Sequence, residues 1–193
     1  MKIVKLALLV LGSCVFTSAL ASTSVKSEIQ SLSPQISAWA EQSSVVNLVQ
    51  KANTQHSNYT KTQIKTLNKQ WQQELNMSNK PLISGVMNNE LSALLEKIQE
   101  HSNGLYQGIV VTDAKGLNVG QTYVPGQYWQ AGQTYWKKAF ATSPGNPYVF
   151  QGSNKKGKLK APMIALPILD AHNNPIGVVA VNINLNKINQ STS

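Results

Sequence analysis

Residues 108–122 read Gly108-Ile-Val-Val-Thr-Asp-Ala-Lys-Gly-Leu-Asn-Val-Gly-Gln-Thr122, and this stretch decides the fold class. Ile109, Val110 and Val111 are β-branched and favour an extended chain. Asp113 stands at the mouth of a turn, and Gly116 where a positive φ angle is needed. Leu117 to Thr122 then returns, so residues 106–122 read as a β-hairpin. Toward the C-terminus, 123–132 is a loop rich in aromatics and glycine, and 133–141 reads as a short helix. Three further strands are expected at 148–151, 160–168 and 176–183. Turns at 155–160 and 170–175 precede the last two, and a helical turn at 185–188 closes the chain.

Toward the N-terminus the period changes from strand to helix. Val25, Ile29, Leu32, Ile36, Trp39, Ser43, Val46 and Val49 recur three or four apart, which predicts one long amphipathic helix over 25–50. Ser33-Pro34 marks either a break in it or the capped start of a second helix. Ile64, Leu67, Trp71 and Leu75 predict another helix, and Val86, Leu91, Leu94, Leu95 and Ile98 a third over 85–99. Helices followed by an antiparallel sheet with one inserted helix make an α+β domain rather than a wound βαβ sheet.

The first residues have the three-part pattern of a secretory signal. Lys2 and Lys5 make a short basic start, Ile3 to Phe16 is almost wholly apolar, and Ala19-Leu20-Ala21 supplies small residues for cleavage. The run is shorter than the roughly 18 residues a membrane span needs, although a retained anchor helix is the alternative. Leu11-Gly12-Ser13-Cys14 also resembles a lipobox, with Cys14 lipidated. Val15 and Phe16 stay apolar beyond it, which favours plain secretion near Ala21 over lipidation. Cleavage there leaves 172 of the 193 residues, enough for one domain with a core. It also removes the one cysteine, so neither a disulfide nor a thiol nucleophile is available. The expected organisation is a signal at 1–21, a helical segment at 22–104, the sheet of the same domain at 105–189 and a polar tail at 190–193. The expected location is the periplasm or the exterior.

The net charge is +9, and every one of the 17 basic residues is lysine. Base and phosphate recognition leans on the bidentate arginine fork, so a nucleic-acid partner is not expected. Of the eight acidic residues, no close pair sits at predicted strand ends, and no serine stands in a Gly-x-Ser-x-Gly frame. His56, His101 and His172 are far apart and read as surface residues, not as metal ligands. No enzyme, cofactor or metal is expected.

Three stretches carry a family resemblance. They are Gly108–Gly116, then Gln127-Tyr-Trp-Gln130 with Tyr135-Trp-Lys-Lys-Ala139, then Ala165-Leu-Pro-Ile-Leu-Asp-Ala-His-Asn-Asn-Pro-Ile-Gly-Val-Val-Ala-Val181. In order and spacing these resemble the Cache domains, the PAS-like extracytoplasmic sensors of bacterial receptors. The resemblance covers about 105–188. It implies a long N-terminal helix and a five- or six-stranded antiparallel sheet holding a small ligand. It also implies a separate membrane or envelope partner, and a dimer formed through the N-terminal helix is one arrangement it allows. Many relatives carry an aspartate before the Tyr-Trp pair, where this chain has Gln127. Amine-recognising relatives place an arginine two residues before the helix tryptophan, where this chain has Thr134. The usual clamp for an amino-acid ligand is therefore missing.

The candidate ligand-binding residues are Tyr123, Gln127, Tyr128, Trp129, Gln133, Tyr135, Trp136 and Asp170. Small-molecule pockets combine aromatic walls with a few fixed polar groups, and residues 123–136 supply both. Core packing of the inserted helix is the competing account of Trp129, Trp136 and Phe140. Asp170 lies where the resemblance implies a ligand-facing carboxylate, with a turn role as its alternative; Asp113 reads as a turn residue. Two functions remain open: a ligand-sensing module, or an interaction or structural module that kept the fold, tethered by lipid if Cys14 is modified.

Overall fold

The computed structural model describes residues 25–142, 146–151 and 161–188. The expected signal with Cys14, the lysine-rich turn at 155–160 and the tail at 190–193 lie outside these residues.

Helical residues 25–30 (α1) are followed by α2 (Ser33–Ala40) and α3 (Ser43–Gln55), so the expected long helix is interrupted twice. A proline in the first turn of α2 explains the first break, because it cannot donate to a preceding turn. At the second, Gln42 takes an extended conformation with φ −62° and ψ 140° before α3 restarts. Ser43, counted in the apolar row, is exposed there. α4 (Lys61–Glu74) begins with a capping box in which Thr60 and Gln63 satisfy each other's backbone amides. The helix expected over 85–99 is also two, α5 (Pro81–Met87) and α6 (Glu90–His101). Asn89 separates them by accepting the amide of Ser92 as an N-cap.

The second half holds β1 (Tyr106–Asp113), β2 (Asn118–Gln121), α7 (Thr134–Phe140), β3 (Tyr148–Phe150), β4 (Met163–Leu169), β5 (Pro175–Ile183) and α8 (Leu185–Ile188). The five strands form one antiparallel sheet in the order β2-β1-β5-β4-β3. This is the α+β architecture expected from the sequence, with the last strand placed at the centre.

Strand alternation divides the sheet into two faces. Ile109, Val111, Ile164, Leu166, Val179 and Val181 point toward the helices and join Ile36, Trp39, Val45, Val49 and Leu95 in the main core. On the other face, Ala165, Val178 and Ala180 lie under Trp136 and Ala139 of α7. A third cluster joins Ile64 and Trp71 of α4 to Ile83 and Val86 of α5, and to Leu117 and Tyr128. Through it, α4 braces the loop that follows β2.

The hairpin turn is held from inside. Asp113 is fully buried, and its Oδ1 accepts the amides of Lys115 at 2.9 Å and Leu117 at 2.8 Å. Its Oδ2 meets Nδ1 of His56 at 2.7 Å. His56 is thus a half-buried partner that ties α3 to the turn, not the free surface histidine that its polar segment suggested. Gly116 has φ +79°, and a Cβ there would lie 2.6 Å from the amide nitrogen of Ala131. The turn and the loop could not approach this closely with any larger residue.

Candidate functional site

The α7 face of the sheet carries the site. Gly108 pairs with Asn182, Asn182 with Met163, and Met163 with Phe150. Direct partners share a face, so these residues form one row across four strands. The next row is Val110, Ala180, Ala165 and Tyr148. Glycine and alanine in these rows leave room above the sheet. Tyr123, Gln133, Thr134 and Tyr135 stand around that room and, with Tyr148, Phe150, Ala161, Met163 and Asn182, line a cavity of about 500 Å³. That size suits a small molecule.

The ring of Tyr123 rests on Gly108. A Cβ at position 108 would lie 2.6 Å from Cδ1 of Tyr123. Tyr123 is 37% exposed as a residue, but desolvation of its phenol raises it above its ordinary range, and a hydrogen bond with Asn182 works in the opposite direction. Burial also pushes the Tyr135 phenol well up, and the neighbouring Tyr123 adds to the effect. Both phenols are therefore neutral donors at any physiological pH. Among the described lining residues none is charged; the polar groups are amides, hydroxyls and phenols.

The candidates from the sequence fall into distinct places. Tyr123, Gln133 and Tyr135 line the cavity. Gln127 stands one step behind, its Oε1 accepting from Nε2 of Gln133 at 3.0 Å. Tyr128 is buried against Trp71, with ring centroids 5.3 Å apart. The indole of Trp129 donates to the Lys115 carbonyl at 2.9 Å and packs with the α4–α5 cluster. Trp136 is buried over the sheet, stacked on Phe140 at 4.5 Å, with its indole donating to Thr112 Oγ1 at 2.8 Å. Asp170 is half-buried, and its carboxylate accepts the amides of Asn174 at 2.8 Å and His172 at 2.9 Å. The Asn174 amide leads the interactions that hold Asp170 below the usual carboxylate range. Asp170 therefore closes the β4–β5 turn and does not face the cavity.

Tyr148, Phe150, Met163 and Asn182 were not among the candidates. Alternation in Tyr148-Val-Phe150 was the available signal, because it puts both rings on one face of a strand. Among the described residues, no group of three or more His, Cys, Asp or Glu side chains is placed to hold a metal ion, and no helix is long and apolar enough to cross a membrane.

No protein family matches the sequence, and no curated protein is similar to it in sequence. Solved structures match it at low identity, with TM-scores below 0.5. The sensor domain of the V. cholerae histidine kinase DctB is 15% identical with a TM-score of 0.40; the match covers 91% of this chain and 60% of that one. The E. coli DcuS sensor domain is 18% identical with a TM-score of 0.37, over 68% of this chain and 92% of that one. The ligand-binding domain of the Campylobacter jejuni chemoreceptor Tlp3, solved with L-valine, is 12% identical with a TM-score of 0.40, over 93% of this chain and 67% of that one. The chain thus spans 60% of the DctB domain's length.

Proposed function

We propose that this chain is a non-enzymatic sensing module that binds an uncharged small molecule above its sheet and signals by contact with a separate membrane or envelope partner. The observation that carries the reading is the cavity of about 500 Å³ with aromatic walls and only uncharged polar groups among its described lining. A charged ligand buried without an opposite charge loses several kcal/mol of hydration, on the order of its whole binding energy. Thr134 stands on the cavity wall where amine-recognising relatives carry arginine, so among the described lining residues a carboxylate meets no cation. Tyr123, Gln133 and Tyr135 are the proposed contacts from the sequence, joined by Tyr148, Phe150 and Asn182. Catalysis has little support, because no described lining residue is a nucleophile oriented by a base. The periplasmic or exterior location rests on the N-terminal sequence.

Native mass spectrometry of the protein purified from its own envelope tests this. The expected result is a stoichiometric adduct of neutral mass, lost in Tyr135→Ala and Asn182→Ala. A clean apo spectrum, with no thermal shift across a panel of uncharged metabolites, would instead favour the interaction module that kept the fold.

A further inference from the structure

The cavity on the α7 face has a second property besides its lack of charge. Two of its lining side chains are carboxamides, Asn182 on β5 and Gln133 at the N-cap of α7. A carboxamide has two donor hydrogens and two acceptor lone pairs. Asn182 shares one hydrogen bond with Tyr123, and Gln133 Nε2 donates one to Gln127 Oε1 at 3.0 Å. Each is thus anchored on one side. Among the described residues, each keeps at least one donor and one acceptor side by side. Aromatic rings border the same space from three elements: Tyr123 from the loop after β2, Tyr135 from α7, and Tyr148 with Phe150 from β3. Tyr148 and Phe150 alternate with Val149 on an edge strand, so their rings share one face.

We infer that the ligand is a flat, uncharged ring bearing an amide edge, an N–H beside a C=O, as in a nucleobase or a nicotinamide. This rests on the sensing reading of the cavity and names its ligand class. A carboxamide can pair with such an edge through two parallel hydrogen bonds, as asparagine and glutamine do with the edge of adenine. The ring itself stacks on aromatic side chains, which is how a protein pocket holds a base taken out of its stack. Other neutral classes fit less well. A sugar carries a hydroxyl on nearly every carbon, and two carboxamides already half engaged leave some of these unpaired, at a cost to binding. An aliphatic ligand would leave the free donors and acceptors of both carboxamides unpaired. A nucleotide would bring phosphate to a described lining that offers it no cation.

The test is isothermal titration of the full chain with uracil, hypoxanthine and nicotinamide, which separate a base from a nicotinamide as the source of the edge. At least one is expected to bind stoichiometrically. Its N-methylated form keeps the ring and loses the amide N–H, and should bind about ten-fold more weakly or worse, the value of one bidentate pair. Asn182→Leu or Gln133→Leu should lower affinity by the same order and erase the discrimination against the methylated probe. Phe150→Leu should weaken both forms alike, by about ten-fold, through lost stacking. The methylated probes keep the test independent of whether any variant folds. Equal affinity for parent and methylated probes would overturn the inference, as would discrimination that survives both leucine variants, or no binding of any of the three. A neutral adduct on the native protein with the mass of a sugar would overturn the ligand class and leave the sensing reading standing. Neither an adduct nor a response to any probe would end both.

Discussion

Replacing Asp113 tests the strut that sets the cavity loop. Its carboxylate is fully buried and serves two amides and one imidazole. In Asp113→Ala, the amides of Lys115 and Leu117 lose their acceptor, at about 1–3 kcal/mol for each orphaned buried group. His56 loses its hydrogen-bond partner as well, which adds about 0.5–1.5 kcal/mol. Asp113→Asn is gentler. Its amide oxygen can still accept both backbone amides, and its NH₂ can donate to an unprotonated His56 Nδ1. It forfeits only the charge assistance, about 1–2 kcal/mol. Urea unfolding at neutral pH measures both variants. The damage should extend to the loop, because the turn's Lys115 and Gly116 carbonyls accept the Trp129 indole at 2.9 Å and the Gln130 amide at 2.7 Å. Amide exchange at Gln130 should therefore rise in Asp113→Ala more than exchange in β4. A loss below about 1 kcal/mol for Asp113→Ala, or equal losses for alanine and asparagine, would refute this account.

Two further outcomes follow from the packing. Gly108→Ala places a methyl group 2.6 Å from the Tyr123 ring, so the ring must shift; the neutral adduct should weaken while the fold survives, as native mass spectrometry and a thermal melt would show. Burial pushes the Glu74 carboxyl up, but the Ile83 amide, Gln70 and the Leu82 amide outweigh it and hold it below 4.5. A lowered carboxylate adds stability that is present above pH 4.5 and lost as pH falls through its folded value. Glu74→Gln should cost about 1–2 kcal/mol at neutral pH and should flatten the stability loss of the wild type below pH 4.5. An unchanged acid profile in the variant would remove Glu74 as the cause.

Much of this fold is written in short-range sequence. Asp113 and Gly116 shape the first hairpin, Thr60 and Gln63 cap α4, and Asp170 closes the β4–β5 turn, each through atoms within four residues. Alternation and helical spacing are equally local, so the change from helices to antiparallel strands near Tyr106 was legible. Element ends were less so, because a lone Asn89 or Gln42 competes weakly with the apolar pattern around it. The aromatic segment 123–136 was singled out as a pocket candidate, and its members divide. Tyr135 and Trp136 are neighbours on one helix, about 100° apart. One reaches the cavity, while the other is claimed by Thr112 and Phe140. Tyr128 and Trp129 are claimed in the same way by α4 and the hairpin turn.

Tertiary structure alone decided the cavity. Its floor joins Gly108, Asn182, Met163 and Phe150, which come from four strands and meet only in the register of the sheet. No local rule specifies that β5 enters between β1 and β4, because that order is settled by which faces bury together. The sequence by itself determined what each segment becomes and which residue types a ligand could meet. The partners of each side chain were decided by long-range pairing, which a reading of neighbours along the chain does not contain.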